Sequence, residues 1–353
     1  MDTTCFNARK KEYKSLICAI ATDEKVKLRI VVPRSVGCSC AKLAVCKDGE
    51  TTVYYNMFWA GMCGNDHEYW QLHFYATTSG LYFYHFELET PWGKTYIKNS
   101  GNGIGDFNAA CGEFQQTVYD KSFKTPDFLK GGIIYQIFPD RFYCSGTEKK
   151  NVPQGRIMRK WGEEPYWNQE QFGSVWNNDY FGGDLAGITE KLPELAALGV
   201  GVLYLNPIFE AHSNHRYNTA DYLRIDPLLG TEQDFITLCQ RAHEHGIKII
   251  LDGVFNHTGS DSLYFNKEGR YGPGGAYRDP RSPYRSWYCW KDAAANMYES
   301  WWGFQSLPKL NSRDESWREF LCGENGIVRH WLRLGADGWR LDVVDEYPDE
   351  LVR

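Results

Sequence analysis

The chain has 353 residues, 42% of them apolar, with 39 Lys and Arg against 45 Asp and Glu. That is enough apolar material for two domains or one large one, and it excludes a disordered chain. The formal charge of -6 argues against a nucleic-acid surface, and no run approaches the ~18 apolar residues of a membrane span.

Aromatic residues are abundant, with 13 Trp and 23 Tyr. Such rings suit stacking on sugars and equally suit ordinary cores. The 11 Cys are scattered without zinc spacing, and the "CSC" at Cys38 and Cys40 is too tight for a zinc knuckle. The opening "MDTTCFNARKKEYKS" has no apolar signal region. The simplest expectation is a cytoplasmic protein with free thiols; a processed, secreted chain with disulfides is the alternative.

From about residue 14 to 120 the chain alternates in short runs: "VKLRIVV", "KLAVCK", "TTVYYNMFW", "YWQLHFYA", "GLYFYHFEL", "KTYIKN". Turn residues separate them, which predicts an antiparallel β-sandwich over residues 1–125. "GIGDFN" lies among these runs and reads as a turn, not as a dinucleotide fingerprint. Past residue 126 the pattern changes. "GGIIYQIFP", "VGVLYLNPIF", "IKIILDGVF" and "DGWRLDV" read as strands buried on both faces. "LAGITEKLPELAALG", "TEQDFITLCQRAHEHG" and "ESWREFLCGENGIVRHWLRLG" read as helices between them, the second with a capping box from Thr231 to Asp234. Alternating strand and helix implies a parallel sheet over residues 126–353. A Gly-, Tyr- and Trp-rich insert, 258–312, interrupts it and is expected outside the barrel wall.

Polar residues sit where these strands end: Asn206 after the second, Asn256 and His257 after the third, Asp342 after the fourth. In a (β/α)8 barrel that rim carries the active site. The doubly wound competitor lacks its glycine-rich phosphate loop. Strand alternation places Asp252, Val254 and Asn256 on one face of their strand, and makes Arg340 and Asp342 point the same way on theirs. An Arg beside a carboxylate favours the ionised form, which suits a nucleophile better than an acid. Alone, such a pair is more often structural; three strand ends with converging polar groups favour a site.

"YFGGDLAGI", "GVGVLYLNPIFEA", "SNHRYNTADY", "DGVFNH", "LPKLN" and "GWRLDVVDE" follow one another in this order between residue 131 and the end. With them the chain resembles the α-amylase family of glycoside hydrolases, in its neopullulanase, cyclomaltodextrinase and maltogenic amylase branch. The resemblance implies a retaining α-glucan hydrolase acting on α-1,4 and α-1,6 bonds of maltooligosaccharides, cyclodextrins or pullulan. It implies that Asp342 is the nucleophile, that Arg340 orients it, and that His257 and Tyr217 bind the sugar at the cleavage point. It makes Asp252, with Asn256 near it, architectural. It further implies a homodimer through the N-terminal domain; of that domain's Trp59, Trp70 and Trp92, at least one is expected in the core, with a sugar platform as the alternative role.

Two departures stand out. The branch has Asp where this chain has Asn218, and the loop after "FPDRF" carries Cys144 and Gly146 where calcium ligands are expected. Gly182 and Asp184 survive as candidate ligands, too few for the six to eight oxygens calcium takes. No cofactor is required. The family's general acid/base and its transition-state stabiliser belong to strands five and seven. The resemblance therefore implies that residues 1–353 are a truncated form, inactive alone. A non-catalytic glucan-binding fragment and a 4-α-glucanotransferase are the alternatives.

Overall fold

The computed structural model describes residues 4–107, 109–110, 112–167 and 177–353. Its contacts divide into two compact units, Met1–Thr125 and Pro126–Arg353.

The first unit is two sheets. One is three-stranded: Val26–Pro33, His67–Phe74 and Phe58–Cys63. The other is eight-stranded and centres on Gly80–Thr90, flanked by Cys40–Lys47, Gly93–Gly101 and Phe114–Tyr119. Pairing is antiparallel except where Phe114–Tyr119 meets the two-residue strand Ile20–Ala21 in parallel. Period-two alternation explains the core: Leu28, Ile30, Leu43, Phe86, Leu88 and Ile97 are all buried. Phe6 sits at its centre, edge-on to Phe86 and Phe114 at 4.9 and 4.8 Å.

Three local expectations are corrected. "TTVYYNMFW" is two strands, Val53–Asn56 and Phe58–Cys63, which belong to different sheets. Buried Met57 is the corner between them. "GIGDFN" contributes a short strand, Ile104–Asp106, because the tight turn at Asn102 and Gly103 folds it back onto Lys98–Gly101; Asn108 lies outside the described residues. Of the three singled-out Trp, none is buried: Trp59 and Trp92 are exposed and Trp70 is half-buried against the core.

The second unit carries a four-stranded sheet of Ile133–Ile137, Val200–Leu205, Lys248–Gly253 and Gly338–Leu341, in that spatial order and parallel throughout. Helix α1 (Leu185–Ala197) follows the first strand and α2 (Glu232–Glu244) the second; α3 (Glu315–Cys322) and α4 (Ile327–Arg333) precede the fourth. Thr231 and Asp234 cap α2 reciprocally. The third long helix read from sequence is broken into α3 and α4. Gly323 is the cause: a Cβ there would meet the Glu319 carbonyl oxygen at 2.4 Å, and Gly326 then serves as the N-cap of α4.

The core of this unit joins sheet and helix faces. Leu203, Leu205, Ile249 and Leu251 meet Leu192, Phe235, Trp317 and Trp331. The insert is not peripheral, since Tyr264, Phe265, Trp287 and Tyr288 are buried in the same cluster. Its many rings pack on one another, on Tyr222 and on Trp317 and Phe320 of α3. The outer strands differ from their reading as buried on both faces. Ile133, Ile134 and Tyr135 are exposed, Ile134 at 53%, because the first strand pairs on one side only. The fourth strand is likewise only partly covered.

Candidate active site

The carboxyl ends of the four strands are tied together by one string of hydrogen bonds. Gln136 Nε2 donates to Asn206 Oδ1 at 2.8 Å, and Asn206 Nδ2 donates to the Tyr217 hydroxyl at 3.2 Å. Tyr217 Oη and Tyr204 Oη both donate to Asp252 Oδ2, at 2.8 and 2.5 Å. Arg340 Nη1 donates to Asp252 Oδ1 at 3.0 Å and to Asp342 Oδ1 at 2.6 Å. The register dictates this last pair, because Asp252 lies opposite Arg340 in the parallel ladder. The Asp342 amide continues the ladder onto the Gly253 carbonyl at 3.0 Å.

Asp252 is fully buried. Burial pushes its carboxyl above the ordinary range, while the two phenols and Arg340 pull the other way. Both its oxygens accept, the hydrogen-bonding pattern of a carboxylate and not of an acid. The phenol of Tyr217 is pushed up to about 12 by burial and by Asp252, so it stays a donor.

Above this string lies a cleft of about 760 Å³ lined by Tyr217, His257 and Asp342 among others. His257 is 2% exposed, and neither ring nitrogen has a hydrogen-bond partner. Burial lowers its pKa to about 4 against the pull of Asp342, so near neutral pH it is an uncharged imidazole. The "LPKLN" stretch braces it: Leu310 N donates to the Asn256 carbonyl at 2.9 Å and Thr258 N to that of Pro308 at 3.3 Å. Lys309 Nζ then pairs with Glu346 at 2.8 Å.

The structure thus brings Tyr217, His257, Arg340, Asp342 and Asp252 together. Asn256 is buried beside them but does not line the cleft, because the strand ends at Gly253 and its alternation does not reach residue 256. Gly182 and Asp184 lie on the segment leading into α1, apart from the cleft lining. Directly after Asp342 the backbone turns through Val343, which adopts φ 53° and ψ 38°. A β-branched residue in the left-handed region is strained.

Several cleft residues carried no signal in the sequence. Trp301 packs on His257 at 5.6 Å and stacks with Phe304 at 6.0 Å and with Trp302 at 5.4 Å. Trp302 is 80% exposed and also left-handed, at φ 48°. Asp261 is held up to about 6 by burial, opposed by Arg270, whose Nε lies 3.5 Å away. Asn218 accepts from the Ser213 hydroxyl, filling with a neutral amide the position where an acid was expected.

A sheet that gathers its polar groups at the carboxyl ends of parallel strands, with an Arg-bound carboxylate in a cleft, has the layout of a strand–helix enzyme. The α-amylase catalytic domain matches residues 136–352, and the chain belongs to the α-amylase family. It is 42% identical over 318 residues to an amylopullulanase of Thermoanaerobacterium saccharolyticum, covering 80% of this chain and 25% of that one. It is 34% identical over 297 residues to neopullulanase 2 of Thermoactinomyces vulgaris, covering 81% and 47%. The type III pullulan hydrolase of Thermococcus kodakarensis superposes with a TM-score of 0.54 at 28% identity, over 98% of this chain and 56% of that one. The chain therefore spans a quarter to about half of these relatives' lengths. No helix among the described residues is long and apolar enough to cross a membrane.

Proposed function

We propose that the second unit is the first half of a (β/α)8 barrel of a retaining α-glucan hydrolase, and that residues 1–353 hold the nucleophile side of its active site. The carrying observation is the Arg340 guanidinium bonded to both Asp252 and Asp342 on the floor of the cleft. In this reading Asp342 attacks the anomeric carbon, forming a glycosyl ester as the glycosidic C–O bond breaks. Arg340, anchored on Asp252, holds the attacking carboxylate in place. His257 and Tyr217 bind the sugar at the cleavage point, and Trp301 with Phe304 offers an apolar wall for the neighbouring ring. The names of the relatives, which include an amylopullulanase, a neopullulanase, a pullulan hydrolase and a cyclomaltodextrinase, support maltooligosaccharides, cyclodextrins or pullulan as substrates. The exposed strand edges at Ile133–Tyr135 and Gly338–Leu341 support further strands packing there. We also read residues 1–125 as an immunoglobulin-like sandwich domain that forms a homodimer, and 258–312 as the barrel's insert.

The departing sugar oxygen needs a proton from a second carboxyl about 5–5.5 Å from the nucleophile. Asp252 is an acceptor only, and Glu346 is paired with Lys309. Residues 1–353 alone are therefore expected to release no reducing sugar from maltotriose, cyclodextrin or pullulan. In a form carrying the remaining strands, Asp342→Ala is expected to lower kcat by on the order of 10⁴-fold or more. Hydrolysis by residues 1–353 that Asp261→Asn abolishes would show instead that Asp261 supplies the proton.

A further inference from the structure

The loop that leaves the first strand and the N-terminus of α1 are joined at Asp184. Its carboxylate is completely buried, and every contact given to it comes from a proton donor. Oδ1 accepts from the Gly187 amide at 2.6 Å and from the Ser145 amide at 3.3 Å. Oδ2 accepts from the Ser145 hydroxyl at 2.7 Å and lies 2.5 Å from Lys149 Nζ. The approach is tight: a Cβ on Gly187 would meet the Tyr143 carbonyl oxygen at 2.3 Å. The Lys149 side chain is itself mostly buried.

The family resemblance implies a calcium ion in this loop, and these residues do not fit one. Calcium takes six to eight oxygen ligands at about 2.3–2.6 Å. Here both Asp184 oxygens are already committed to donors, one of them a cation. Gly182 has no side-chain oxygen to offer, and its amide is held by Asp140 Oδ1 at 3.2 Å. Among the described residues no group of three or more acidic, His or Cys side chains is placed to hold a metal. Neighbouring buried acids follow the same pattern, since Asp140 pairs with Arg141 and Asp226 with Arg156, each at 2.7 Å.

We infer that the Lys149 ammonium is the resident cation of this loop, doing in place of a metal ion the work of tying residues 143–149 to the start of α1. A buried carboxylate needs a counter-charge, and a lysine supplies one that no chelator removes. The loop is then held at any calcium concentration.

Thermal melts of the full chain in EDTA and in millimolar calcium test this, with elemental analysis of the gel-filtered protein beside them. The expected result is one Tm in both buffers and no bound calcium. Lys149→Met strips Asp184 of its partner and is expected to lower Tm by about 5 °C or more. Limited proteolysis of that variant is expected to cut faster within 143–151. A wild-type chain that holds about one calcium per molecule, or that loses stability in EDTA, overturns the inference. So does a Lys149→Met chain with unchanged Tm and unchanged proteolysis. Should that variant not fold, the wild-type melts and metal content still decide. None of these readouts depends on turnover, so their failure is separable from failure of the glucan reading.

Discussion

The two units bury apolar side chains in the same way and polar ones very differently. Among the described residues the first unit buries Lys14, Glu87 and Gln116, and the second buries 18 polar or charged side chains, five of them aspartates. In the sandwich the apolar alternation specifies register by itself, because a one-residue slip would expose the core face. In the parallel sheet the strands are near-continuous apolar runs, which specify register poorly. There the polar string from Gln136 to Asp342 adds what the runs lack, since Gln136, Asn206, Asp252 and Arg340 each need a partner outside their own strand. Buried polarity is thus concentrated in the second unit, and part of it ties separate strands together beneath the cleft.

The largest test of this contrast is Asp252→Ala. It strips two phenols of their acceptor at a fully buried site, while Arg340, 42% exposed, can turn to water; the lost acceptors cost on the order of 4 kcal/mol together. Urea unfolding of the second unit is expected to shift by that much. The transition of residues 1–125, followed by near-UV signals of its own aromatic cluster, is expected to stay put. A common shift in both would mean that the units do not unfold independently.

A smaller effect comes from pH. The folded-state pKa of His257 is depressed to about 4 from an ordinary 6.5. A depressed histidine gives stability that is fully present above pH 6.5 and is lost as pH falls towards 4, because the unfolded chain takes up the proton first. The expected loss is about 3 kcal/mol across that window. His212 and His215 are lowered to about 4 as well, both chiefly by burial, so the slope belongs to the cleft as a whole. Replacing His257 with Gln is expected to flatten the stability–pH profile in that range, and an unchanged slope would assign the loss elsewhere. The smallest expected effect is Val343→Gly, which removes left-handed strain of about 1 kcal/mol. Denaturant midpoints are expected to rise slightly, while kcat in a turnover-competent form falls as Asp342 loses its fixed aim.

Much of this arrangement was legible in the sequence, for definite reasons. Apolar runs mark the strands, and an acid or amide at the end of each marks the rim, so Asn206, Asp252 and Asp342 could be placed together. Thr231 and Asp234 are local, and their cap was readable. The break between α3 and α4 was not, because apolar residues on both sides keep one helical period across Gly323 and Gly326. The pairing of Lys149 with Asp184 joins residues 35 positions apart with no periodic link between them. Trp301, Phe304 and Asp261 lie in an insert with no period at all, so nothing in their spacing indicates that they share a cleft with His257. Exposure of Ile133 and Ile134 was also hidden, since an apolar run reads the same whether its second neighbour is present or not.

The distances along the chain between partners in the polar string have a consequence for the order in which the molecule comes together. Gln136 and Asn206 are 70 residues apart, and Asp252 waits 88 residues for Arg340. During synthesis the first three strands emerge with Asp252 able to find its phenols but not its cation. Long-range contacts form late because loop closure must precede them. The guanidinium that aims Asp342 is therefore delivered by the same strand that carries Asp342. Nucleophile and clamp arrive together, and no nascent chain presents one without the other.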